Sequence, residues 1–306
     1  GLLTTNMRNL TFPENYEGLE FRDEIAEAKD AVRELKKLGA TVIILLDHVG
    51  FEQADMARFE GDQAIAREVA GIDLIVGGHT HTSLRAPYRD QRHGTLIVQA
   101  GAYLSAVGKV TLEVDDKTGR VLSSSGALID LWIDQVGQDP RLMGLVAKQT
   151  ARVAAVYDVV IATSQALLTR NRQGESSLGD WMTDCERAWA GADLAIQNGG
   201  GIRADMAEGP VTLRTIFNIM PFDNYLVRLD MDGGLVRQVL DHGVDKTKGM
   251  IQQSGATFDY DRDAAAGRRL SGLLIGGEVA DPMTSYKVVT VDFLVKGGDG
   301  YSPFSR

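Results

Sequence analysis

Two histidines, His79 and His81, follow an apolar run at 72–76 and a pair of glycines, in the stretch Gly77-Gly-His-Thr-His81. Imidazole suits Zn, Mn, Fe or Ni, and glycine removes side-chain bulk where a backbone must turn close to a bound ion. On spacing alone, a His-x-His pair after a strand divides about evenly between metal binding and ordinary turn chemistry. His48 raises the metal reading. It follows a second apolar run at 41–46 and precedes Val49-Gly50. Neighbouring parallel strands bring their carboxyl ends together, where open α/β sheets hold ligands, so His48, His79 and His81 can converge.

A second cluster lies further along. Asn198-Gly-Gly-Gly-Ile-Arg203 places three glycines beside an arginine. Ordering such backbone costs roughly 0.5–1 kcal/mol per glycine relative to alanine. It is not a P-loop, because no Lys-Ser/Thr follows. A tight surface turn is one reading and backbone approach to a ligand the other, with Arg203 offering a planar fork to phosphate or carboxylate. Phe222, between Met220-Pro221 and Asp223-Asn224, is either core or one wall of a slot for a flat base. Phe293, shortly before Gly297-Gly-Asp299, reads as core. Asp299 between glycines is turn chemistry or an acceptor for a sugar diol.

The elements that must carry these residues follow from periodicity. Residues 18–39 read as a helix with Ile25, Ala28, Val32, Leu35 and Leu38 on one face and Gly39 at its end. Strand 41–46, helix 56–70 and strand 72–76 follow, which is the alternation of a parallel sheet with covering helices. Residues 95–99, 107–114 and 120–131 are strand-like, the last two joined at Asp115–Gly119 as a hairpin. The polar stretch 134–139 and Pro140 mark a boundary before a helix at about 141–157. Beyond it the pattern predicts helices at 176–189 and 235–242 and a helical turn at 212–218 capped by Thr212. It predicts strands at 192–197, 225–231, 257–261, 270–279 and 286–294. Cys185 reads as a small buried hydrophobe within the 176–189 helix.

Composition narrows the classes. The chain has 306 residues, 44% hydrophobic and 24% charged, enough for two domains. Its net charge of −10 argues against a nucleic-acid backbone partner but leaves a small phosphorylated ligand open. One cysteine excludes an intrachain disulfide framework and a cysteine metal cluster. No apolar run is long enough to span a bilayer. Gly1-Leu-Leu-Thr-Thr has no charged region of the signal-peptide kind, and the opening reads as the end of a strand, as though the chain begins within a domain.

With His48-Val-Gly50, Gly77-Gly-His-Thr-His81, Asn198-Gly-Gly-Gly-Ile-Arg203, Pro221-Phe-Asp-Asn224 and Gly297-Gly-Asp-Gly-Tyr301 in this order, the chain resembles the 5′-nucleotidase family over nearly its whole length. That family includes UDP-sugar hydrolases and 2′,3′-cyclic-nucleotide phosphodiesterases. The resemblance implies an α/β (α+β) fold in two parts. An incomplete calcineurin-like metallophosphatase sandwich would occupy 1–135, a linking helix 136–157, and a mixed α/β substrate-binding domain 158–306. It implies hydrolysis of nucleotide phosphate esters with two divalent metal ions (Zn, Mn or similar), and a periplasmic or extracellular location. His48, His79 and His81 would be metal ligands. Asn198, Gly200, Arg203, Phe222, Asn224, Gly249, Phe293 and Asp299 would meet the nucleotide or nucleoside, with the two phenylalanines on the base and Asp299 on the ribose hydroxyls. The family's opening ordered set, Asp-x-His, then a Gly-Asp that carries the bridging aspartate, then Asn-His-Glu/Asp, does not occur here, and with it go the catalytic histidine, the bridging carboxylate and ligands to both metals. The expectation is therefore negligible turnover by residues 1–306 alone, with a binding module lacking catalysis as the alternative. Asp47 stands where the family usually has Ser or Thr, and either Arg170 or Arg172 could be a second substrate arginine.

Overall fold

A computed structural model of the chain describes residues 1–52, 61–245 and 249–305. By contacts the chain divides into two compact units. The first comprises Gly1–Met7 and Glu17–Pro140, the second Arg8–Tyr16 and Arg141–Arg306.

The first unit opens with β1 (Leu2–Leu3) and the short α1 (Met7–Leu10), whose last residues belong to the second unit. Next come α2 (Glu24–Lys37), β2 (Ile44–His48), α3 (Asp62–Glu68), β3 (Leu74–Val76), β4 (Tyr88–Arg89) and β5 (Leu96–Val98). The sheet order is β1-β2-β3-β5-β4, parallel except for the β4–β5 pair. Asp23 caps α2 by accepting from the Ala26 amide at 2.8 Å, which satisfies one of the helix's free N–H groups. Helix α2 turns Ala28 and Val32 inward, onto a core with Ile43, Leu45, Ile65, Ile75 and Ile97. The hairpin β6 (Ala106–Val114) to β7 (Val121–Asp130) turns at Asp115, whose carboxylate accepts from the amides of Lys117 and Thr118. The short helix α4 (Ile133–Val136) follows. Of the helix expected over 56–70, the part at 56–60 lies outside the described residues.

The second unit begins with α5 (Pro140–Tyr157), β8 (Val160–Ser164), α6 (Ser177–Ala190) and β9 (Leu194–Asn198). It continues with β10 (Gly209–Thr212), α7 (Leu213–Ile219), β11 (Leu226–Asp232) and α8 (Gly233–Gly243). The run ends with β12 (Ile251–Ser254), β13 (Ala256–Tyr260), β14 (Leu270–Ile275), β15 (Glu278–Val279), β16 (Ser285–Val291) and α9 (Asp292–Val295). The main sheet runs β11-β16-β9-β12, with β16 and β9 parallel and the outer pairs antiparallel. It packs on the apolar face of α8, where Val236, Val239 and Leu240 are fully buried with Leu194, Ile196 and Val288. Thr212 caps α7, as the sequence leads one to expect, and the structure adds the reciprocal bond from Thr215. Arg214 holds Asp158 at 2.5 Å and Phe217 meets Tyr157 edge-on, so α7 ties down the end of α5.

Three expectations are corrected. Residues 270–279 form two strands rather than one, because Gly276 and Gly277 both take positive φ and fold the chain into a hairpin. The strand expected at 286–294 stops at Val291 and passes into α9, which carries Phe293, packed against the core as expected. Cys185 is exposed, on the outer face of α6. The strands β8, β10 and β12 are short and weakly patterned, and periodicity does not reveal them.

On the inner side of α6, Glu186 is buried and its Oε2 has no hydrogen-bond partner among the described residues. Burial pushes its carboxyl up to about 7. In the unfolded chain a glutamate titrates at about 4.3. The neutral acid therefore favours folding below that value, and the contribution is lost as pH rises towards 7. Glu186→Gln should flatten this dependence. Thermal midpoints at pH 5 and pH 8 should fall more across the interval in the native chain than in the variant, and equal falls would contradict the assignment.

Candidate functional site

Two side-chain groups, one in each unit, hold the residues that sequence reading singles out. In the first unit, β2 and β3 lie side by side in parallel with Leu46 opposite Val76, so both strands end at the same edge. His48 closes β2, and Gly77-Gly78 carry the chain from β3 to His79. The rings of His48 and His79 come together, with centroids 5.2 Å apart. His81 instead packs edge-on against Tyr103 at 5.5 Å. Both histidines have left-handed backbone, with φ of 75° at His79 and 57° at His81, which is uncommon for side chains other than glycine. Among the described residues no three His, Cys, Asp or Glu side chains are grouped as a metal site requires. His48 and His79 are thus a pair of imidazole donors, and this donor set alone does not enclose an ion.

The glycines before His79 have separate reasons. A Cβ on Gly78 would stand 2.8 Å from His48 Nδ1, and one on Gly77 would stand 2.1 Å from Asp62 Oδ2. Asp62 is fully buried at the start of α3, its amide bonded to the Gly50 carbonyl at 2.7 Å. Its carboxylate lies beside that of Asp47, whose Oδ1 accepts from the Val49 amide. Burial raises both carboxyls above the usual range, and Asp62 further because the Asp47 charge is next to it. Asp47 therefore neighbours a second acid.

In the second unit, β9 ends at the buried Asn198, and Gly199–Gly201 make one tight turn. The Asn198 amide donates to Asp299 Oδ2 at 2.7 Å. A Cβ on Gly200 would lie 3.7 Å from Asn198 Nδ2, 3.8 Å from Arg172 Nη2 and 3.9 Å from Asp299 Oδ2. An amide, a guanidinium and a carboxylate thus converge on the bare face of Gly200. Gly249 lines the same place, since a Cβ there would meet the Gly200 amide nitrogen at 3.4 Å and Arg172 Nε at 3.9 Å. Arg203 donates to the Gly200 carbonyl at 3.2 Å, and its guanidinium stands 5.9 Å from the centre of the half-exposed Phe222 ring.

The loop with Phe222 and Asn224 is fastened to α9. Asp292 Oδ1 accepts from the Tyr225 amide at 3.0 Å, and the Asp292 amide donates to the Tyr225 carbonyl at 2.9 Å. Phe293 follows Asp292. A Cβ on Gly298 would lie 2.5 Å from three atoms of the Phe293 ring, so the Gly298 backbone covers one face of it. Phe12 meets Phe293 edge-on at 6.1 Å. Lys296 stands over Phe12 at 4.1 Å and pairs with Glu14 at 3.1 Å. No motif draws attention to Phe12.

The two arginines that sequence reading leaves open are separated here. Arg170 is occupied by Asp205, through its amide at 2.8 Å and its guanidinium at 3.9 Å. Arg172 is held at the glycine turn, its carbonyl accepting from the Met250 amide at 2.7 Å. This arrangement can bind a flat apolar group beside a polyhydroxylated, negatively charged one.

The chain matches the family model described as 5′-nucleotidase, C-terminal domain, over residues 153–306. A snake venom 5′-nucleotidase of Macrovipera lebetinus is 30% identical over 329 residues, covering 92% of this chain and 78% of that protein. Endonuclease YhcR of Bacillus subtilis is 27% identical over 308 residues, and the chain spans only 25% of its length. The crystal structure of a 5′-nucleotidase precursor from Thermus thermophilus superposes on 100% of this chain and 64% of its own, with TM-score 0.87 and 28% identity.

The glycines offer a direct check. At Gly200 an added methyl would make only ordinary contacts, and the backbone φ is not left-handed. Gly200→Ala should leave the thermal midpoint nearly unchanged while weakening any ligand that lies on that face. At Gly298 the methyl would collide with Phe293, so Gly298→Ala should cost about 1–3 kcal/mol of stability. Thermal unfolding of both variants distinguishes these outcomes.

Proposed function

The chain belongs to the 5′-nucleotidase family, and from that premise we propose that its second unit binds the nucleoside part of a nucleotide for hydrolysis of the phosphate ester. The carrying observation is the convergence of Arg172, Asn198 and Asp299 on Gly200. Phe222 and Phe293 are then the aromatic surfaces for the base, and Gly249 lets the ligand approach the backbone. Asn224 and Asp299 accept or donate to the nucleoside, Asp299 taking the ribose hydroxyls. Arg172 and Arg203 answer the negative charge of the phosphate, each by charge-assisted hydrogen bonds.

The first unit contributes His48 and His79, with His81 nearby in sequence, as ligands for divalent metal. Such ions supply a hydroxide at neutral pH and stabilise charge on a transferring phosphoryl group. A two-metal centre needs more ligands than these three histidines, which supports negligible turnover by residues 1–306 alone. A nucleoside-binding module without catalysis is the second reading, favoured by the same incomplete donor set. The location that goes with the venom relative is outside the cell. Among the described residues no helix is long and apolar enough to cross a membrane.

Two measurements test the proposal. Titration calorimetry with adenosine should give saturable heat that is lost in Phe222→Ala and in Phe293→Ala; no heat from the native chain would overturn the binding reading. AMP hydrolysis with added Mn or Zn should stay near background, and robust turnover would show that these residues complete a catalytic centre.

A further inference from the structure

Asp299 occupies an unusual backbone. Its φ of 51° and ψ of 23° are left-handed, in the tight turn Gly298–Gly300, although its neighbours on both sides are glycines that could take that conformation more easily. The turn has its own hydrogen bonds, from the Gly300 amide to Gly297 and from the Tyr301 amide to Gly298, both at 3.1 Å. Neither restrains the Asp299 carbonyl. That carbonyl faces His242 Nε2 at 3.1 Å. A carbonyl oxygen only accepts, so the ring nitrogen facing it carries the proton and donates.

His242 is well placed to act as a fixed post. It sits in the last turn of α8, whose Val236, Val239 and Leu240 are fully buried in the core of this unit. Its ring meets that of the buried Tyr301 edge-on, 4.4 Å between centroids. Tyr301 packs in turn on Phe304. The imidazole is therefore clamped by the helix that bears it and by the ring two residues beyond Asp299. We propose that His242 is a positioning residue of the ligand site. It holds the Asp299 carbonyl so that the Asp299 carboxylate is presented to Asn198 and to a ligand diol. It acts through Asp299 and touches no ligand itself. The inference rests on the reading of Asp299 as the acceptor for ribose hydroxyls.

The experiment compares adenosine with 2′,3′-dideoxyadenosine, which keeps the base and lacks the diol, by titration calorimetry on the full chain. The native chain should prefer adenosine by about tenfold or more, the worth of one hydrogen bond to a charged acceptor. His242→Phe keeps the ring against Tyr301 and removes the donor. It should abolish that preference by weakening adenosine alone, leaving dideoxyadenosine binding unchanged. His242→Gln places an amide donor at similar reach and should restore the preference. Equal weakening of both ligands in His242→Phe, or an unchanged preference, overturns the proposal. A native chain that binds both ligands alike overturns the reading of Asp299 instead. The positioning role is then decided by hydrogen exchange at the Gly300 and Tyr301 amides. Faster exchange in His242→Phe, restored in His242→Gln, supports it, and unchanged exchange refutes it.

Discussion

The hydrogen bond from the Asn198 side-chain amide to the Asp299 carboxylate joins residues 101 positions apart, and the candidate site of the second unit depends on it. Asn198 ends a strand buried in the middle of the main sheet, between β16 and β12. Asp299 stands in a turn just beyond α9, which continues β16. Because β9 and β16 run parallel and adjacent, their ends emerge at one edge, and a single side-chain bond closes the gap. The glycines around it are then obligatory for space more than for flexibility. Gly199 has no room for a methyl beside the Met250 carbonyl, Gly201 none beside the Gln197 side chain, and Gly200 is left bare at the centre.

The first unit uses the same construction with different chemistry. Two parallel strands end side by side, and paired glycines admit a side chain from elsewhere. At Gly77 the guest is the buried carboxylate of Asp62, and at Gly78 it is the imidazole of His48. What the two units share is geometric: parallel strands deliver residues from distant sequence to one edge, and glycine clears the volume they need.

Much of this was legible in the sequence because strong periodicities report burial. The inward face of α2 at Ala28 and Val32, the helices α6 and α8 and the strands at the centre of each sheet follow from the residue pattern, though Leu35 and Leu38, expected on that face of α2, are exposed; the cap at Thr212 follows from its residue type. The candidate residues Arg203, Phe222, Asn224 and Asp299 lie in loops and turns whose glycine and proline content marks them, and Asn198 ends β9 just before such a turn. What stayed illegible depends on contacts between remote parts of the chain. Nothing local distinguishes Arg172 from Arg170; one meets Asp205 and the other a turn formed 27 residues later. Nothing local joins Phe12 to Phe293. Cys185 was misjudged because a helix shows its outer face to solvent wherever no second layer covers it, and one residue's hydrophobicity does not say which face it is on.

The segment Arg8–Tyr16 belongs by its contacts to the second unit, while the chain on both sides of it belongs to the first. Its Phe12 and Glu14 rest on Phe293 and Lys296. Glu14 and Lys296 lie 282 positions apart, so during synthesis the segment is made well before its partners. Its aromatic ring and carboxylate meet Phe293 and Lys296 only after the intervening chain has been made. This late contact therefore fastens to the second unit a segment whose neighbours in sequence belong to the first.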